Sequence, residues 1–578
     1  MFSAADWTIY NDAWLWIVIV AFLIAFILAF GIGANDVANS FGSSVGAKVL
    51  TLKQACILGS IFEILGAILI GAKVSDTIRK GIISVELFPN GTEAEFMVGN
   101  LAALTGSCIW MLVASFLNLP VSATHSIVGA TLGFSLVAHG TQGVNWKQLA
   151  KIVGSWFASP LLSGALSTGL FFFVFRIVLL KDKPLESGLK LLPLFYGFTI
   201  AINLFSIFYK GSALLHFDKI PLYGTFILSF GLAIIAALVV RFIVVPWQRK
   251  KITEHARVIS LQKEEQGLLE SDKNYQDTLT KHSKETAELR AEMANGKDGV
   301  ALIGNQTIEV KGKPKCTSTP KKLLVSDTNI DDDALLAGAS RSNISAKSST
   351  LLIPKKEKES FIIDESKPEG DSNCSSNSDN TTASSNSLDS TASLTEEQKI
   401  ELARTKIKDT PETQSLFSFL QVLTAIFGSF AHGGNDVSNA IGPLVAIWIT
   451  ATTGSAAQKA PVPIWILLLG GVGISVGLWV MGRRVMKTLG EDLTKITPSS
   501  GFCIEIGSAL TVLLASNVGI PVSTTHCKVG SIVFVGWFRG KEGVDWKLFR
   551  NIIIAWFVTL PIAGGLSAGF MAALRNFV

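Results

Sequence analysis

The sequence predicts an all-α polytopic membrane protein. About 12 membrane segments form two inverted-topology repeats, with helix breaks or re-entrant hairpins at a shared site, and a long disordered loop joins the halves. Three observations predict this. Apolar residues make up 49% of the 578-residue chain, charged residues 16%, and the mean hydropathy is positive. Apolar runs approaching the roughly 20 residues that span a bilayer recur on both sides of one polar insert. Motifs near one end of the chain return near the other.

Seven apolar segments precede the insert, near 13–31, 54–72, 98–117, 120–139, 149–180, 190–208 and 221–246, and five follow it, near 416–432, 462–482, 501–518, 521–538 and 548–576. Only Asn118-Leu119-Pro120 separates the third from the fourth, and Pro160 interrupts the fifth. Non-helical backbone at membrane depth is tolerated only against protein or a water-filled cavity, so such breaks mark candidate re-entrant half-helices. The first segment lacks a basic leader and carries a polar motif, which predicts a retained helix. The organisation is therefore 1–247, 248–415 and 416–578. The middle part opens on Arg249-Lys250-Lys251, passes through a charged stretch with helical character (Thr253 to Met293) and ends in Ser/Asn/Asp/Thr low complexity around Ser372–Ser393. That composition cannot bury a core and predicts mostly disorder.

The net charge of +5 is cytoplasmic-loop charge rather than a nucleic-acid surface. The six cysteines show no CxxC spacing, so neither a metal site nor a disulfide framework is indicated. Basic residues set orientation. Arg249-Lys250-Lys251 places the insert in the cytoplasm, with Arg176, Lys181, Lys183, Arg483, Arg484, Lys487, Arg539 and Lys541 on the same side. Both termini then lie outside, as does 73–95, which carries the glycosylation sequon at Asn90, although Lys73, Arg79 and Lys80 run against the rule.

The repeat is specific. Gly33-Ala34-Asn35-Asp36-Val37-Ala38-Asn39 returns 400 positions later as Gly433-Gly434-Asn435-Asp436-Val437-Ser438-Asn439. Pro120-Val121-Ser122-Ala123-Thr124-His125 returns 401 positions later as Pro521-Val522-Ser523-Thr524-Thr525-His526, and Trp156-Phe157 returns 400 positions later as Trp556-Phe557. Seven segments before the second copy place the copies in opposite orientations, the architecture of secondary transporters with the site at the repeat interface.

Asp36 and Asp436 need a counter-charge, because an aspartate at a helix centre costs about 2.5–3.5 kcal/mol. Asn35, Asn39, Asn435 and Asn439 add carbonyl oxygens, and neither motif holds Lys or Arg. Hard oxygens without a basic partner suit a hard cation; the plainer reading is helix capping. In Pro-Val-Ser-x-Thr-His, proline is placed to start a helix. Ser122, Thr124, Ser523, Thr524 and Thr525 fall in first turns, where free N–H groups and the helix dipole favour a small oxyanion. His125 and His526 suit either a proton relay or a bond to a carbonyl. Glu63 and Glu505, each in an apolar stretch, suit a gate or cation pathway; they are not equivalent, since Glu63 aligns roughly with Ile474 and Glu505 with Leu104. These residues give an ion-coupled carrier of a small oxyanion.

On its paired Gly-x-Asn-Asp-Val-x-Asn and Pro-Val-Ser-x-Thr-His motifs and its long central loop, the chain resembles the inorganic phosphate transporter (PiT) family, specifically its animal sodium–phosphate symporters. The resemblance spans nearly all of 10–246 and 416–578. It implies symport of monovalent phosphate with Na⁺ at Asp36 and Asp436, at the plasma membrane, without other cofactors. The partners expected are phosphate, Na⁺ and the bilayer, with a homodimer and retroviral envelope binding as further expectations, and no nucleic acid. Ala123 stands where the second copy has Thr524, so the half-sites differ by one hydroxyl. A proton-coupled carrier, a channel or a receptor are the alternatives. An intramembrane enzyme is disfavoured, because one active site needs no second copy.

Overall fold

The computed structural model describes residues 8–36, 38–89, 91–209, 216–294, 300–303, 306–309, 409–456, 460–540 and 543–578. Asn90, Cys316, Cys374, the low-complexity stretch and the asparagines of the insert's further Asn-x-Ser/Thr sequences (Asn305, Asn343, Asn373 and Asn380) lie outside the described residues. The chain divides into one unit of 1–264 with 389–578 and a second of 265–388.

All twelve expected segments are helical. The first contains α1 (Leu15–Asp36) and continues in α2 (Ala38–Gly46). There follow α3 (Leu52–Lys80), α4 (Glu93–Phe116), α5 (Ala123–His139), α6 (Trp146–Val174), α7 (Pro184–Phe208), α8 (Leu222–Val239) and α9 (Val245–Ala294). After the insert come α10 (Pro411–Thr453), α11 (Ile464–Lys487), α12 (Pro498–Val518), α13 (Thr524–Arg539) and α14 (Trp546–Leu574). Among the described residues, ten helices are long and apolar enough to cross a membrane. The two that fall short of the expected twelve are α5, with 17 residues, and α13, with 16. Each follows the Pro-Val-Ser break, so α4–α5 and α12–α13 are helical hairpins. At their turns Phe116 and Leu117 are each 60% exposed and Val518 is 74% exposed, apolar surface that suits hydrocarbon better than water.

Two local expectations are refined. The second Asn-Asp motif lies within α10, which runs unbroken through it and through Pro443; the breaks belong to the hairpin turns. The charged start of the insert is helical to Ala294, as part of α9. Beyond it, in the second unit, Val300–Ile303 pairs antiparallel with Gln306–Glu309, with Val300 opposite Glu309.

The helices of the two halves pack by exchange. α1 lies on α11 as α10 lies on α3, and α5 lies on α14 as α13 lies on α6. α4 packs on α14 as α12 packs on α6. Reciprocal contact of this kind is the mark of a two-fold relation. The repeated Gly-Val-Asn/Asp-Trp-Lys segments follow it too. Asn145 N–H donates to the Ile82 carbonyl at 2.9 Å and Asp545 N–H to the Leu493 carbonyl at 3.0 Å. Each then caps its helix, accepting from Gln148 N–H and Leu548 N–H respectively.

The first glycine of each Asn-Asp motif is fixed by this packing. A Cβ on Gly33 would sit 1.9 Å from the Ile474 carbonyl oxygen of α11, and a Cβ on Gly433 would sit 2.1 Å from the Glu63 carbonyl oxygen of α3. The geometry thus pairs the same two positions, Glu63 and Ile474, that the sequence alignment pairs. No side chain fits, because the obstacle is backbone.

Gly33→Ala and Gly433→Ala should therefore each destabilise the detergent-solubilised protein by about 1–3 kcal/mol through overpacking, read as a lower melting temperature. Gly169→Ala, where nothing lies within 4 Å, should leave it unchanged or raise it.

Candidate functional site

The site forms where the Asn-Asp motifs of α1–α2 and α10 meet the turns of the two hairpins. Each turn is anchored by its own half's first asparagine. Asn35 Nδ2 donates to the Leu119 carbonyl at 2.8 Å and to Ser115 Oγ at 3.3 Å, while its Oδ1 accepts from Val121 N–H at 3.2 Å. Asn435 Nδ2 donates to the Val522 carbonyl at 2.8 Å. The turns also bond each other: Thr124 Oγ1 donates to the Val522 carbonyl at 2.9 Å, and Thr525 Oγ1 lies 3.1 Å from the Val121 carbonyl.

The second asparagines cross between halves. Asn39 Nδ2 donates to Thr525 Oγ1 at 2.9 Å and Thr524 Oγ1 at 3.3 Å, and Asn439 Nδ2 donates to Thr124 Oγ1 at 3.1 Å. The aspartates sit inside this lattice. Thr525 Oγ1 lies 3.1 Å from Asp36 Oδ1. Asp436 Oδ1 accepts from Asn439 Nδ2 at 2.7 Å and Asn435 Nδ2 at 3.3 Å, and its Oδ2 accepts from Thr524 Oγ1 at 2.6 Å. The Thr524 bond has no counterpart in the other half, because Ala123 occupies that place.

Four buried oxygens here have no hydrogen-bond partner: Asp36 Oδ2, Asn39 Oδ1, Asn435 Oδ1 and Asn439 Oδ1. Buried polar atoms are normally satisfied, and a carboxylate with amide carbonyls is the donor set a hard monovalent or divalent cation takes. Ligand atoms of Asp36, Asp436 and His432 all lie within 4.8 Å of one another.

His432 was not anticipated from the sequence. It stands one helical turn before Asp436, the i, i+4 spacing that puts two side chains on one face. Its Nδ1 is 2.7 Å from Glu63 Oε2, and its Nε2 is 3.0 Å from Asp436 Oδ2, an ion-pair contact without hydrogen-bond alignment. Ser429 Oγ donates to Glu63 Oε1 at 3.0 Å. Glu63 thus joins the central site through His432. Glu505 lies in a separate buried cluster. Its Oε1 accepts from Ser43 at 2.7 Å, Ser44 at 2.6 Å and Gln421 at 3.4 Å, and its Oε2 accepts from Thr424.

Ser122 and Ser523 are helix N-caps, accepting from His125 N–H at 3.2 Å and His526 N–H at 3.1 Å. Each hydroxyl keeps its own proton to donate. The two imidazoles turn to an apolar cavity of about 480 Å³ between α6 and α14. His125 stacks on Trp156 and His526 on Trp556, each with ring centroids 3.7 Å apart. His526 Nδ1 is 3.0 Å from the Trp156 carbonyl.

Fold and site define a multi-pass membrane protein with one buried, oxygen-lined site shared by two related halves. The model of the phosphate transporter family matches residues 32–567, and the chain belongs to that family. It is 44% identical to the sodium-dependent phosphate transporter 1 of Homo sapiens, over 98% of this chain and 97% of that one. It is 45% identical to transporter 1-A of Danio rerio (96% and 94% covered) and 44% identical to transporter 2 of Xenopus tropicalis (97% and 98%). A solved structure described as the sodium-dependent phosphate transporter aligns with a TM-score of 0.65 at 29% identity, covering 97% of this chain and 100% of the other.

His432→Leu should destabilise the protein by on the order of 3 kcal/mol, because two buried carboxylates lose the group between them. A thermal melt of the purified variant reads this, and an unchanged midpoint would show that Glu63 and Asp436 do not depend on it.

Proposed function

We propose that the chain is a sodium-coupled symporter of inorganic phosphate, taken as monovalent H₂PO₄⁻, working by alternating access in the plasma membrane. The observation that carries this is the group of unpartnered oxygens on Asp36, Asn39, Asn435 and Asn439, set against the N-termini of α5 and α13. The names of the relatives supply sodium and phosphate.

In this reading Na⁺ binds at Asp36 with Asn39 and at Asp436 with Asn435 and Asn439, while Asn35 holds the first hairpin turn in place. Phosphate docks on the N-terminal turns through Ser122, Thr124, Ser523, Thr524 and Thr525 and the free N–H groups that every helix start offers. The threonine hydroxyls that now satisfy Asp36 and Asp436 can turn to the anion once cations neutralise the carboxylates. Binding of one ion therefore prepares the site for the other. Two Na⁺ with one H₂PO₄⁻ move one net charge, worth about 2.3 kcal/mol per 100 mV.

Inverted topology is part of the proposal, and the exchange packing of the halves supports it. Whether each hairpin crosses the membrane twice or not at all, the number of crossings before the second copy stays odd. The loop side is cytoplasmic and the termini external by the basic-residue rule. Proton coupling is the second reading, favoured by His432 between Glu63 and Asp436.

Radiolabelled phosphate uptake into proteoliposomes, with sodium and pH gradients imposed separately, tests the proposal. Uptake should follow sodium. Asp36→Asn and Asp436→Asn should each abolish it at equal amounts of reconstituted protein, and normal uptake in both would remove the cation sites. Ser122→Ala and Ser523→Ala should raise the apparent phosphate KM or stop transport, whereas an unchanged KM in both would leave those hydroxyls as caps only. A chain lacking 260–405 should retain transport.

A further inference from the structure

A second charged cluster lies one helical turn from the central site. Asn39 of α2 donates to Thr524 of α13 at 3.3 Å. Four residues further along each helix, Lys528 Nζ donates to Ser43 Oγ at 3.2 Å. The two contacts are successive rungs between α2 and α13. Ser43 Oγ in turn donates to Glu505 Oε1. Lys528 is only 2% exposed and Glu505 only 1%, so neither charge reaches solvent, and the lysine does not extend toward a membrane surface as long basic side chains near helix ends do.

The cluster has no counterpart across the two-fold relation. The positions equivalent to Glu505, Lys528 and Ser43 are Leu104, Ile127 and Pro443. A carboxylate and an ammonium are thus present together in one half, and apolar residues replace both in the other. Glu505 otherwise gathers only neutral donors: Ser43, Ser44, Gln421 and Thr424. A carboxylate ringed by three hydroxyl oxygens, of Ser43, Ser44 and Thr424, would be a cation site in its own right. A buried charge needs a compensating one, and among the described residues Lys528 reaches Glu505 through Ser43.

We propose that Lys528 is the resident counter-cation of Glu505, bridged to it by Ser43. Glu505 then recruits no coupling ion, and the number of cations carried per cycle is set at the Asp36 and Asp436 sites alone. Lys528 is a positioning residue, acting through Ser43 and not on the substrate. Because Ser43 lies one turn from Asn39, the neutral cluster also fixes α2 against α13 beside the central site. This inference rests on the sodium-coupled reading above.

Equilibrium binding of radioactive sodium to the purified full chain tests it without requiring transport. Lys528→Met should bind one more sodium ion per chain than the parent. Lys528→Arg should match the parent, and the double variant Lys528→Met/Glu505→Gln should return to the parental count. An equal count in the parent and Lys528→Met would overturn the inference while leaving the coupling reading intact. A parent that binds no sodium would overturn both. If Lys528→Met is not recovered folded, recovery of the double variant with the parental count supports charge compensation, and failure of both variants overturns it in favour of a packing role.

Discussion

Everything near the centre of this molecule follows from the burial of two aspartates among membrane helices. A buried carboxylate needs donors or a cation, and no single helix supplies enough. The chain answers by breaking two helices at Pro-Val-Ser and bringing both turns to the Asn-Asp motifs. The threonines after each break bond the acidic motifs, and the asparagines bond the turns and the threonines in return. The turns also bond each other through Thr124 and the Val522 carbonyl. The anion-favouring helix starts and the cation-favouring oxygens are therefore parts of one lattice, and disturbing either disturbs the other. That physical linkage is what a symporter needs, since coupling is a mutual dependence of two binding free energies.

The lattice is nearly symmetric, and its departures from symmetry add charge without a symmetric counterpart. Ala123 removes one hydroxyl from the first turn. His432 and Glu63 add an ionisable chain beside Asp436 alone. Glu505 and Lys528 add a buried pair that the first half replaces with apolar residues. A two-fold scaffold with unequal sites can bind two cations with different affinities and in a preferred order.

Much of this was legible in the sequence because it is local or duplicated. Spans follow from runs of apolar residues, and the hairpin breaks follow from a proline shortly after an asparagine, Asn118 before Pro120 and Asn517 before Pro521. The pairing of Glu63 with Ile474 came from alignment alone and reappears as the two backbone positions against Gly433 and Gly33. What was not legible depends on contacts between distant segments. His432 sits at a helical spacing from Asp436 that could have drawn notice, but its bond to Glu63 spans 369 positions. Lys528 was hidden in a segment read as apolar, and its partner Ser43 is 485 positions away. The continuity of α10 through Gly433, Gly434 and Pro443 was equally hidden. Glycine and proline weaken an isolated helix, and here packing against α3 outweighs that local preference.

The most direct measurement is equilibrium binding of radiolabelled phosphate to the purified protein as sodium is varied at constant ionic strength with potassium. If cations free the threonine hydroxyls for the anion, phosphate affinity rises steeply with sodium and is negligible in potassium alone. Phosphate binding that is equally tight in either salt would contradict the account, because the two ions would then occupy the protein independently.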